Sequence, residues 1–88
     1  MAIQIQTADG SGDTIEEIRS SILESIPDAR VDVQLGGPGH FEIRVTSPIF
    51  EGKNRVKQQQ LVYGAITHLM SGSSPPVHAV DRLECLVP

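Results

Sequence analysis

The sequence predicts one small α+β domain, ordered helix-strand-strand-helix-strand, whose three-stranded mixed sheet carries its helices on one face. Three observations predict it. An apolar stripe of helical period opens the domain, two runs of period-two alternation flank a glycine-rich turn, and a second helical stripe precedes a final apolar run. Strands joined by a short turn pair antiparallel, whereas a strand, a long helix and another strand usually close a right-handed parallel crossover. The sheet is therefore mixed.

Residues 1–12, "MAIQIQTADGSG", end in a small, polar stretch and read as a flexible arm, although Ile3 and Ile5 alternate with Gln4 and Gln6 as a short edge strand would. Residues 13–88 form the single domain. In "DTIEEIRSSILESI", either Asp13 or Thr14 can accept a hydrogen bond from the first-turn amides, and each has a glutamate three residues on, at Glu16 and Glu17. Ile15, Ile18, Ile22, Leu23 and Ile26 then recur at steps of three and four, and Pro27 ends the helix. Next, "ARVDVQL" sets Val31, Val33 and Leu35 against Asp32 and Gln34. "HFEIRV" repeats the pattern with Phe41, Ile43 and Val45, and Gly36 to Gly39 between them make an antiparallel hairpin. Pro48 closes the second strand, and Ile49 and Phe50 in the connector plug the core edge.

Asn54 caps a long helix running to about Met70, with Val62, Ala65, Ile66, Leu69 and Met70 on its apolar stripe and Leu61 on the flank. Lys57, Gln60, Gly64, Thr67 and His68 share the solvent face. "SGSSPP" breaks this helix, and "VHAVDRLECLV" supplies the last strand. Its alternation is imperfect, because Ala79, Leu83 and Cys85 compete with Val80 and Leu86. A bulge or change of register follows.

Composition bounds the function. With 88 residues the chain has room for one core, and 39% apolar with 20% charged residues describes neither a disordered chain nor a membrane span. Only Phe41, Phe50 and Tyr63 are aromatic, which leaves few platforms for stacking bases. A net charge of −4 works against sequence-independent nucleic-acid binding. The single cysteine, Cys85, allows no intramolecular disulfide, and with neither a secretory signal nor an anchor in view the expected setting is the cytoplasm. No phosphate-binding glycine loop, HExxH motif or cysteine pair is present, and the apolar neighbours of Cys85 would raise its pKa. The chain does not read as an enzyme.

Two groups of residues remain as candidates. Lys53, Arg55 and Lys57 are three of the seven basic residues and sit at the start of the second helix, where cations oppose the helix dipole. They read either as a solvated face offset by Glu51 or as an anion site for a partner's carboxylate or phosphate. His40 begins the second strand and His78 the third. A parallel crossover brings both to the same end of the sheet, either as two ordinary polar residues or as ligands of one site, since imidazole binds iron, zinc or copper through either nitrogen. Two ligands alone would not complete a metal site. His68 reads as a surface residue.

"VTSPIFEGKNRVKQQQLVYGAI" and "PPVHAVDRLECLVP" together resemble the BolA family, and "RVKQQQLVYG" is most similar to its bacterial IbaG branch. The resemblance spans about Thr14 to Pro88 and implies a fold related to the type II KH arrangement. It also implies a partner, a monothiol glutaredoxin with a Cys-Gly-Phe-Ser site, which together with glutathione shares a [2Fe-2S] cluster with the BolA-like protein. None is expected in the isolated chain, a monomer or weak homodimer on its own. His78 matches the ligand of the family's V-H-A segment. Many members carry the second ligand in a longer hairpin loop, and "LGGPG" has neither His nor Cys there, leaving His40. The alternative implied by the fold is a nucleic-acid-binding regulator with Lys53, Arg55 and Lys57 on phosphates, although "EGKN" lacks the G-x-x-G clamp.

Overall fold

A computed structural model describes residues 11–88. Most of the expected arm, with its Ile3 and Ile5 alternation, lies outside the described residues. Helix α1 spans Ser11–Ser25, strand β1 Arg30–Gly37, strand β2 His40–Thr46, helix α2 Arg55–Ile66 and strand β3 Ala79–Leu86. Single 3-10 turns at Pro48–Phe50 and Thr67–Leu69 complete the order. The sheet runs β1-β2-β3, with β1 antiparallel and β3 parallel to β2. No helix among the described residues is long and apolar enough to cross a membrane.

One face of the sheet is covered. Phe41, Ile43 and Val45 of β2 are buried, whereas His40, Glu42 and Arg44 between them are exposed. Against the buried face pack Ile18, Ile22 and Ile26 of the first stripe and Val62, Ala65, Ile66 and Leu69 of the second. Full burial of one such side chain stabilises by roughly 1.5–3 kcal/mol. Both helical stripes therefore meet the sheet as the sequence predicts.

Several boundaries differ from expectation. Helix α1 already includes Ser11 and Gly12, which the sequence assigns to an arm, so Asp13 and Thr14 lie within the helix instead of capping it. Thr14 is buried; Asp13 stays exposed, where its charge suits the dipole. The Asn54 cap stands: its side chain accepts the Lys57 amide at 2.9 Å. However, α2 stops at Ile66 and the last turn tightens to 3-10 geometry. There the Thr67 hydroxyl donates to the Tyr63 carbonyl at 2.7 Å and that of Ser71 to the Thr67 carbonyl at 2.8 Å. In the connector only Phe50 plugs the core. Ile49 is 39% exposed and faces out, because the 3-10 turn can aim only one of the two neighbours inward.

The last strand resolves the competing alternations. Phe41 pairs with Val80, yet the next residue, Glu42, pairs with Arg82, so Asp81 is an extra residue without a ladder partner. The bulge shifts the phase by one. Val80 before it and Leu83 and Cys85 after it then pack on the same core. Val77 is fully buried ahead of the strand, its amide donating to the Leu69 carbonyl at 3.1 Å.

Candidate functional site

Parallel pairing places the starts of β2 and β3 together, with His40 opposite Ala79. His78 therefore stands one residue ahead of the ladder, beside Gly39. Its amide donates to the Gly39 carbonyl at 2.8 Å, and the Ala79 amide shares that acceptor at 3.1 Å. The His78 ring lies against Gly39 itself: a Cβ on that residue would fall 2.6 Å from Nδ1 and 2.7 Å from Cγ. Nε2 is the nitrogen farther from this seat. The side chain is exposed, and neither ring nitrogen hydrogen-bonds to a described residue.

His40 is held differently. Its Nδ1 lies 3.0 Å from Oδ1 of Asp81, the bulged residue of β3. The other side of His40 also carries a bulge, since Leu35 pairs with Phe41 but Gly37 with His40, leaving Gly36 extra. A Cβ on Gly36 would stand 3.4 Å from Asp81 Oδ2, so the carboxylate lies alongside this glycine. Among the described residues no three His, Cys, Asp or Glu side chains converge as a metal site. Sequence reasoning found both histidines and missed Asp81 and Gly39. The irregular alternation announced a bulge, but not which residue would bulge or whose side chain it would reach.

Lys53 and Arg55 have separate surroundings. The Lys53 ammonium donates to the Ile49 carbonyl at 2.8 Å, within its own connector. Asn54 occupies the Lys57 amide, and Gln58 Nε2 bridges the Phe50 and Lys53 carbonyls at 3.0 Å each. Arg55 instead borders a groove between α2 and β3 with Gln58, Arg82 and Leu86. His68 lies on the surface, its Nε2 3.3 Å from the Ser21 hydroxyl.

Beyond His40, the open face of the sheet carries charge. Glu84 accepts from Arg44 Nε at 2.8 Å and from Arg82 at 3.0 Å. The hydrogen bond from Arg44, then that from Arg82, holds the Glu84 carboxyl below its ordinary range, and the same Glu84 contact holds the Arg44 guanidinium above its own. Burial pushes the Cys85 thiol up, as its apolar neighbours predict, so the thiol stays protonated and a poor nucleophile near neutrality.

Comparison with known proteins points one way. The model of the family described as BolA-like protein matches residues 18–85. A protein of the rpoN-murA intergenic region of Acinetobacter guillouiae is 38% identical over 66 residues, 74% of this chain and 75% of its own. Acid stress protein IbaG of Escherichia coli K12 is 33% identical over 65 residues, 74% of each chain. Among solved structures, a bol-like protein from Babesia bovis superposes with a TM-score of 0.64 at 29% identity, covering 83% of both chains.

Proposed function

Because the chain belongs to the BolA-like family, we propose that it is an adaptor without catalysis of its own. It pairs with a monothiol glutaredoxin of the Cys-Gly-Phe-Ser kind and glutathione to hold a bridging [2Fe-2S] cluster, for iron-sulfur trafficking or iron sensing. The observation that carries this reading is His78, an exposed imidazole seated at a sheet end with no described residue on either ring nitrogen. Such a nitrogen keeps its lone pair for a metal. His40, at the start of the adjacent strand, is the second donor this chain offers, and the thiolates come from the glutaredoxin and glutathione. Histidine in place of thiolate raises a cluster's potential, as in Rieske centres. Two neutral donors from one chain also leave the cluster dependent on its partner, which suits cargo meant to be passed on.

The setting assigned is the cytoplasm, where a lone cysteine stays reduced. The name of the E. coli relative adds a stress response. The nucleic-acid alternative draws on Arg55 and Lys57, both exposed, but Lys53 already serves the Ile49 carbonyl and the net charge is −4.

The test mixes this protein with a Cys-Gly-Phe-Ser glutaredoxin, glutathione, iron and sulfide, and records visible absorption and circular dichroism. A spectrum distinct from that of the glutaredoxin homodimer, lost in His78→Ala, is the expected result. An unchanged spectrum on adding the wild-type protein overturns the adaptor.

A further inference from the structure

His40 stands between two bulges, Gly36 on β1 and Asp81 on β3, and the extra residue of β3 sends its carboxylate back to the His40 ring. Bulges beside a strand re-aim side chains, and they often flank functional sites. Resting on the adaptor reading, we infer that Asp81 is a positioning residue that fixes His40 as a ligand through Nε2.

A carboxylate offers only acceptors, so the 3.0 Å contact requires the proton of the neutral imidazole to sit on Nδ1. A neutral imidazole has one such proton. Nε2, on the far side of the ring from Asp81, therefore carries the lone pair. Metal-ligating histidines are commonly held in this way, the remote nitrogen donating to a carboxylate that sets the tautomer and orients the ring. The fold supplies the carboxylate through the phase shift of β3, which puts a residue without a ladder partner just past the second rung, with its side chain reaching back to His40. The carboxylate lies alongside Gly36, its Oδ2 3.4 Å from where a Cβ on that residue would stand, an ordinary van der Waals contact. Among the described residues His78 has no such carboxylate, and its ring is seated against Gly39. The two imidazoles are thus oriented by different means.

The first readout needs no metal. Long-range proton-nitrogen NMR of the isolated protein, at a pH where the His40 ring is neutral, is expected to show the Nδ1–H tautomer. Asp81→Ala and Asp81→Leu, which leave Nδ1 without an acceptor at this position, are expected to shift it toward Nε2–H, with the amide spectrum showing that each variant folds. The second readout is the shared cluster with glutaredoxin and glutathione. Asp81→Ala is expected to shorten its half-life about tenfold, the lower end of what losing such an outer partner costs. An Nε2–H tautomer in the wild type, or identical tautomers in wild type and variants, overturns the part given to Asp81 and leaves the adaptor standing. A cluster of unchanged lifetime and spectrum in Asp81→Ala overturns it equally. A wild-type protein that assembles no shared cluster overturns the adaptor itself, and with it the ligand role of Nε2, whatever the tautomer.

Discussion

Gly39 holds a φ of +76° and supports the His78 ring on its bare α-carbon. Both features call for glycine. A side chain at positive φ costs about 1–2 kcal/mol, and here the added methyl would also sit 2.6 Å from Nδ1 and push the ring off its seat. Gly39→Ala is therefore expected to lower unfolding free energy by about that amount in urea titration and to move the His78 ring resonances. Unmoved resonances would remove Gly39 from the site. At this scale the sequence showed the residues but not their neighbours. His78 was legible because the V-H-A segment is a local string, whereas the partner of His40 lies 41 residues away.

Among the elements, α2 shows which features are local. Its cap was legible because the Asn54 side chain and the Lys57 amide are three residues apart and their bond depends only on the first turn. Asn54→Ala is expected to cost about 1 kcal/mol, read as a lower midpoint in thermal or urea unfolding. A midpoint equal to that of the wild type would mean that the exposed amide is satisfied equally well by water. The end of α2 was not legible to the same degree. Met70 continues the apolar stripe, but hydroxyls of Thr67 and Ser71 bond back to carbonyls four residues earlier and accompany a tightened last turn. The sequence marks β3 as irregular without locating its bulge, because alternation reports the phase of a strand and not the point where it changes.

Over the whole molecule, a single core joins α1, α2 and the sheet, and Phe41 and Phe50 are its largest fully buried side chains. Small domains have little stability in reserve, about 5–15 kcal/mol in general. Phe50→Ala is expected to cost about 3–5 kcal/mol, enough to leave the protein partly unfolded at mild urea concentrations, as circular dichroism would register. A loss below about 1 kcal/mol would mean that the connector collapses into the cavity. Element order, the alternation of β2, both helical stripes and the family were all determined by the sequence, since each is written in residues a few positions apart; the alternation read for β1 fades toward the hairpin, where Leu35 is 44% exposed. The tertiary structure decided that Asp81 bulges, that its carboxylate meets His40, that Gly39 carries the His78 ring and that Lys53 turns back to its own connector. These depend on the register between strands and on the path of a connector, and a shift of one residue changes which side chains meet while leaving every local pattern as it was.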